Sequence, residues 1–146
     1  MLTENKAKSL KLNEDRLFSS DPIQRDIARE LYANVKNLPI ISPHGHTDPS
    51  WFSKNENFGN PTELFIAPDH YVYRMLYSQG HDLDGLGVPR RDGVPAHDPR
   101  EAWRTFAENY HLFRGTPSRM WLDYVFANVF GLDVRLSSQT ADTYYD

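Results

Sequence analysis

The sequence predicts an α/β chain in which one short strand precedes a long, mostly helical segment. Two observations predict this. A cap residue followed by proline, which typically starts a helix, recurs four times, at Asp21, Asn60, Asp98 and Thr116. One short apolar run, Leu38–Ile41, has the length of a buried strand, and no strong second strand pattern follows it.

Composition restricts the class of protein. The chain has 146 residues, of which 39% are hydrophobic and 25% charged, a balance typical of a folded globular protein. Its net charge is −4 and its Lys and Arg residues are scattered, so we expect no nucleic-acid partner. Because the sequence contains no Cys, any metal would be held by His, Asp or Glu.

The N-terminal residues are polar with scattered Leu. We expect 1–20 to form an arm, and 21–146 to form the N-terminal part of one larger domain. The first twelve residues lack the apolar stretch of a signal peptide, and no run approaches the ~20 apolar residues that span a bilayer. We therefore expect a cytoplasmic protein that contacts no membrane.

The first helix begins at Asp21-Pro22, with Gln24 at the third helical position. Its apolar residues recur every four positions and form one stripe: Ile23, Ile27, Leu31 and Val35. The run at 38–42 then predicts a buried strand that enters a loop at Ser42-Pro43. A buried strand needs partners for its backbone groups, so we expect the partner strands to lie outside these 146 residues.

Four further helices are predicted. They begin near Asn60 and at Asp69, Asp98 and Thr116, and the last two are predicted to end at Gly115 and Gly131. One more helix is predicted to begin at Ser138. Residues 81–97 are rich in Gly, Pro, Asp and His and predict an ordered loop. Four aromatic residues are interpreted as core: Trp103, Phe106, Tyr110 and Trp121.

The first group of residues that could bind a metal or take part in a reaction is His44-Gly45-His46, at the end of the predicted strand. Side chains two apart on a strand point the same way, so both imidazoles could converge on one divalent metal. Catalytic residues of (β/α) barrels also lie at the carboxyl ends of strands. The alternative is a loop with two incidental histidines.

The second group is Asp69-His70-Tyr71, followed by Arg74 at helical spacing. The N-terminus of a helix carries partial positive charge and suits an anion such as a sugar carboxylate. The alternative is a capping Asp69 with His70 and Tyr71 partly buried. Arg74 could contact a substrate carboxylate or form a salt bridge. Trp51 follows the histidine pair closely and is a candidate pocket residue.

These groups together resemble uronate isomerase, a metal-dependent family of the amidohydrolase superfamily, in order and spacing. The resemblance runs from Phe18 onward and rests on these segments: His44-Gly45-His46-Thr47-Asp48-Pro49, Asn60-Pro61-Thr62-Glu63-Leu64, Asp69-His70-Tyr71-Val72-Tyr73-Arg74-Met75, Asp98-Pro99-Arg100-Glu101-Ala102-Trp103 and Gly115-Thr116-Pro117.

The resemblance implies a distorted (β/α)₈ barrel of which this chain supplies the first strand and a helical insertion. It implies interconversion of glucuronate with fructuronate and of galacturonate with tagaturonate. His44 and His46 would be metal ligands, with zinc as the usual ion. His70 and Tyr71 would belong to the substrate site, with Tyr71 placed for proton transfer.

Such a barrel needs ~250 residues, so the resemblance also implies that these 146 residues require the remainder of the barrel and are inactive alone. Two alternatives stay open: a metal-dependent hydrolase of the same superfamily, and a non-catalytic helical interaction module. The expected partner is a hexuronate substrate, and the sequence leaves assembly into a homo-oligomer open. We interpret His81, His97 and His111 as structural.

Overall fold

A computed structural model of the chain describes residues 7–42, 44–45 and 47–146. In chain order the helices are α1 (Pro22–Val35), α2 (Ser50–Lys54), α3 (Pro61–Phe65), α4 (His70–Ser78), α5 (Pro99–Glu108), a 3₁₀ helix (Tyr110–Phe113), α6 (Pro117–Asn128) and α7 (Ala141–Tyr145). The part of the chain that the structure describes is thus mostly helical. None of these helices is long and apolar enough to cross a membrane.

The predicted helix starts are confirmed, and side-chain caps explain them. Asp21 accepts a hydrogen bond from the backbone N–H of Gln24 at 2.9 Å, and the Asn60 amide oxygen accepts one from Glu63 at 3.0 Å. Asp98 and Thr116 cap α5 and α6 in the same way. Each cap satisfies an N–H group that has no partner within its helix, and each is followed by a proline preset for the first turn.

The helix predicted to run from Asp98 toward Gly115 is shorter than expected. α5 ends at Glu108, and the chain tightens into the 3₁₀ helix before Gly115 adopts a φ of +79°. Both aromatic residues of this 3₁₀ helix, Tyr110 and Phe113, are buried, each with 1% exposure. α7 likewise begins at Ala141, three residues after the predicted Ser138.

The prediction of a buried strand at 38–42 is wrong for this chain. Residues 39–42 have no regular secondary structure, and Ile40 and Ile41 are 93% and 91% exposed. The backbone of a strand must pair with a neighbour, and no described segment pairs with this one. The segment 38–42 therefore has the apolar composition of a strand but lacks the neighbouring strand with which its backbone would pair.

The chain divides into two compact units. Among the described residues, the larger comprises 7–11 together with Phe58–Asp146. Its core is aromatic: Trp103 and Phe106 are fully buried with ring centroids 5.3 Å apart, and Phe126 packs edge-on against Tyr144 at 4.9 Å. The indole Nε1 of Trp103 donates to the Ala141 carbonyl at 2.9 Å, which ties α5 to α7.

Part of the predicted N-terminal arm is attached to this larger unit. Ser9 forms an antiparallel bridge with Val134, and Leu10 is only 2% exposed. The Leu10 N–H donates to the Asp133 carbonyl at 2.7 Å. The attachment follows from the burial of one leucine among otherwise polar neighbours.

The core interpretation is confirmed for Trp103, Phe106 and Tyr110 but wrong for Trp121, which is 53% exposed. α6 buries Leu122 and Phe126, and Trp121 lies outside that buried face. Trp121 still contacts the core through Phe65, with ring centroids 6.1 Å apart. An apolar helix surface thus remains in contact with solvent.

The second unit comprises Leu12–Asn57 and contains α1 and α2. Arg29 donates to Asp15 at 2.8 Å, and Phe18 packs edge-on against Tyr32 at 6.0 Å. None of the α1 residues is buried, and its apolar stripe is exposed along its whole length: Ile23, Ile27, Leu31 and Val35. A stripe of this kind normally packs against another element.

Candidate metal and substrate site

The N-terminus of α4 presents the predicted substrate residues. Asp69 caps the helix, because its Oδ1 accepts a hydrogen bond from the backbone N–H of Tyr71 at 2.8 Å. His70 and Tyr71 are the first two helical residues, and their ring centroids lie 4.2 Å apart with the planes tilted by 34°. Two polar aromatic side chains therefore meet at the positive end of a helix.

Burial on the other face holds this helix in place. Val72 and Leu76 are four residues apart and completely buried, whereas Tyr71 is 67% exposed. The spacing places the two apolar anchors on one side of α4 and leaves Tyr71 outside the core. The interpretation of Tyr71 as a partly buried structural residue therefore receives little support.

Arg74 lies one turn after Tyr71 and is exposed. Among the described residues it forms no ion pair, so the salt-bridge interpretation has no support in this part of the structure. A guanidinium in this position retains its capacity to bind a carboxylate.

His44, the first predicted metal ligand, lies in the smaller unit. His44 is exposed, and the Ser42 hydroxyl donates to the His44 carbonyl oxygen at 2.6 Å. His46 lies outside the described residues. A Cβ placed on Gly45 would meet no atom within 4 Å. The Ser42 contact lies where the sequence predicts a loop to begin, at Ser42-Pro43.

The residues that follow the histidine pair form a second local turn. Asp48 accepts a hydrogen bond from the Ser50 backbone N–H at 2.9 Å, and this contact lowers the pKa of the Asp48 carboxyl. The turn leads into α2, where Trp51 is 41% exposed. The assignment of Trp51 to a substrate pocket stays a prediction.

The donor set is incomplete for a catalytic metal. Zinc in enzymes is usually held by three protein ligands, and His44 with His46 supplies two imidazoles. Within 7–42, 44–45 and 47–146 no group of three or more His, Asp or Glu is arranged to hold a metal. The two histidines fit the ligand chemistry of zinc, and at least one further ligand is required.

Comparison with known proteins identifies the family. The family model of glucuronate isomerase matches residues 15–146. The chain belongs to the glucuronate isomerase family. It is 66% identical over 137 residues to the uronate isomerase of Sphingopyxis alaskensis and 63% identical over 137 residues to that of Phenylobacterium zucineum. Both alignments cover 94% of this chain and 28% of the relative, so the chain spans about a quarter of their length.

Solved structures of the family agree with the fold. The crystal structure of glucuronate isomerase from Caulobacter crescentus matches with a TM-score of 0.92 and 60% identity, covering 95% of this chain and 29% of that protein. The uronate isomerase from Thermotoga maritima matches with a TM-score of 0.76 at 26% identity, covering 92% and 27%. The mostly helical arrangement thus corresponds to part of a uronate isomerase fold.

Two further histidines of this isomerase-family chain have local partners. The His97 ring packs over Gly87, and its Nδ1 lies 3.1 Å from the Pro95 carbonyl oxygen. The Nδ1 of His111 lies 3.1 Å from the Glu108 carbonyl oxygen. Both contacts agree with the structural interpretation from sequence.

Proposed function

We propose that this chain acts as part of an aldose–ketose isomerase that interconverts D-glucuronate with D-fructuronate and D-galacturonate with D-tagaturonate. The family match over residues 15–146 is the observation that carries the proposal. The relatives named above support it, because they are uronate isomerases at 63–66% identity. Neither the hydrolase nor the interaction-module alternative has an observation in its favour.

The reaction determines what the site must contain. Moving a carbonyl from C1 to C2 requires removal of the C2 proton and delivery of a proton to C1 through an enediol. A positioned acid/base group and donors for the developing oxyanion are both needed. In our proposal the exposed Tyr71 hydroxyl exchanges the proton, and His70 beside it contacts the substrate.

The positive end of α4 provides a reason for selecting an acidic sugar. The partial positive charge at the N-terminus of α4, beside His70 and Tyr71, favours the substrate carboxylate. Arg74 is proposed to assist by charge-assisted hydrogen bonding. A hexuronate, rather than a neutral hexose, is the substrate class that fits this set of side chains.

A divalent metal, with zinc as the expected ion, is proposed to bind His44 and His46 and to supply Lewis-acid stabilisation of substrate oxygens. Further ligands would come from the remaining length of the isomerase. The two imidazoles and the absence of Cys from the sequence fit nitrogen and oxygen ligation of such an ion.

We further infer that the complete isomerase is a distorted (β/α)₈ barrel in the cytoplasm and that 38–41 becomes its first strand. The exposure of Ile40 and Ile41 supports this, because both need an apolar cover and a paired backbone. The stripe on α1 has the same need. The remaining barrel would provide both, and the isolated chain is therefore expected to be inactive.

A chimera tests the proposed function. This chain replaces the matching 137-residue segment of the Sphingopyxis alaskensis uronate isomerase. We expect the chimera to convert glucuronate to fructuronate and the 146-residue chain alone to show no turnover with added zinc. A folded chimera without isomerase activity, next to an active parent enzyme, would refute the proposal.

A further inference from the structure

A polar cavity of about 430 Å³ lies in the larger unit and involves none of the residues assigned to the isomerase site. It is formed by the chain around Lys8, the 3₁₀ helix and its flanks, part of α6, and residues 135–139. The buried side chains of Ala107 and Leu136 contribute apolar surface to its lining. The lining is therefore mostly polar, with a smaller apolar contribution.

The charge of the cavity is opposite to that of the protein. The whole chain has 16 Lys and Arg residues against 20 Asp and Glu. The cavity lining reverses this excess, with the basic residues Lys8, Arg114, Arg119 and Arg135 against the acidic residues Glu108 and Asp123. A local cationic surface on an acidic protein favours an anionic ligand.

The charge of Arg119, one of the basic lining residues, is balanced by Asp123. Arg119 Nε lies 3.0 Å from Asp123 Oδ2, and its Nη1 donates to the Tyr110 carbonyl at 2.8 Å. Its guanidinium also lies over the Tyr110 ring, 3.6 Å from the centroid. Arg119 and Asp123 therefore satisfy each other, and the cationic excess resides on Lys8, Arg114 and Arg135.

Arg135 is held in position by the backbone beside it. Its Nε donates to the Ser9 carbonyl at 2.9 Å, and its backbone N–H donates to the Lys8 carbonyl at 2.7 Å. The Nε contact orients the guanidinium while its two terminal nitrogens keep donor capacity. A fixed arginine loses less conformational freedom when it binds an oxyanion.

We propose that this cavity binds a small oxyanion with two negative charges, of the phosphate type. Arg114 and Arg135 provide planar donors that match such a ligand, and Lys8 adds a third positive charge. After Glu108 is counted, the excess of two positive charges matches a dianion. The proposal does not depend on the isomerase assignment.

Titration of the 146-residue chain with inorganic phosphate, at constant ionic strength set with chloride, tests the proposal by calorimetry and by amide chemical shifts. We expect saturable one-to-one binding. Arg114→Gln and Arg135→Gln should each weaken it by roughly tenfold or more, as for loss of a charge-assisted hydrogen bond. Arg90→Gln is the matched control, because Arg90 is an exposed arginine that pairs with Asp84 elsewhere in the same unit.

Arg114→Gln is expected to fold normally, because no described residue is hydrogen-bonded to the Arg114 side chain. Its melting temperature should equal that of the parent chain, so that a loss of affinity reports on binding. Non-saturable binding would overturn the proposal. An equal loss of affinity in Arg90→Gln would also overturn it, because the effect would then reflect net charge alone. Unchanged affinity in both cavity variants would have the same consequence.

Discussion

The carboxylate of Asp69 accepts a hydrogen bond from the backbone N–H of Tyr71 at 2.8 Å, and this contact determines where α4 begins. Tyr71 and its neighbour His70 are thereby placed in the first turn, outside the buried side of the helix. A local capping interaction thus connects the sequence pattern to the presentation of the two proposed substrate residues.

Removal of this cap should destabilise the chain. We expect Asp69→Ala to lower the free energy of unfolding by about 1 kcal/mol, because the first turn loses an acceptor for one of its free N–H groups. Urea denaturation followed by circular dichroism measures the change. Asp69→Ser retains a capping oxygen and is the control; equal destabilisation by both variants would contradict the capping role.

Two tryptophans provide a matched test of the core. Trp103 is fully buried and bonds the Ala141 carbonyl, whereas Trp121 is 53% exposed. Trp103→Phe should cost about 2 kcal/mol or more, because it removes the buried hydrogen bond to the Ala141 carbonyl and leaves a void beside it. Trp121→Phe should cost less than about 0.5 kcal/mol. Denaturant unfolding of both variants measures the difference, and similar losses would contradict this description of the core.

Alanine substitutions at Gly87 and Gly115 distinguish the cost of backbone strain from the cost of steric overlap. Their φ values are +72° and +79°, but a Cβ on Gly87 would lie 2.4 Å from His97 Nε2, whereas one on Gly115 would meet open space. Gly115→Ala should cost about 1 kcal/mol from backbone strain alone. Gly87→Ala should cost about 1–3 kcal/mol more, because the ring of His97 must move.

Thermal and urea unfolding of these two glycine variants provide the comparison. A second substitution, Gly87→Ala with His97→Ala, should recover part of the additional loss by removing the overlapping ring. Equal stability of Gly87→Ala and Gly115→Ala would show that His97 moves without cost, which would contradict the close packing of its ring over Gly87.

Much of the fold was predictable because the determining interactions are local. The caps at Asp21, Asn60, Asp98 and Thr116 bond N–H groups within three residues, so short patterns contain the necessary information. The break after Glu108 was missed because Tyr110 and Phe113 also fit α-helical spacing. The 3₁₀ turn is distinguished by backbone hydrogen bonds three residues apart, from Leu112 to Asn109 and from Arg114 to His111.

Long-range features were less predictable for a physical reason. The run at 38–41 has strand composition, but pairing depends on partners that composition does not specify. Trp121 lies on a helix that is apolar on more than one side, so the pattern did not distinguish its exposed face. The basic cavity joins residues from Lys8 to Gln139 and has no signature in any single segment.

Tyr71 can be tested in the chimera with the isomerase parent. Tyr71→Phe retains the ring and removes the hydroxyl, so we expect turnover to fall by roughly 10²–10⁴ with little change in melting temperature. Tyr77→Phe is the matched control, because Tyr77 lies on the same helix and is 60% exposed. Substantial turnover in Tyr71→Phe, together with reduced stability, would assign Tyr71 a structural role instead.

The most direct test of the proposed metal-dependent isomerase is to measure zinc content and glucuronate turnover on one preparation of the chimera and of its His44→Ala/His46→Ala variant. Our account predicts stoichiometric zinc and conversion of glucuronate to fructuronate in the chimera. It predicts loss of most zinc and of turnover in a double variant that is still folded. Full zinc content and undiminished turnover in the double variant would contradict it.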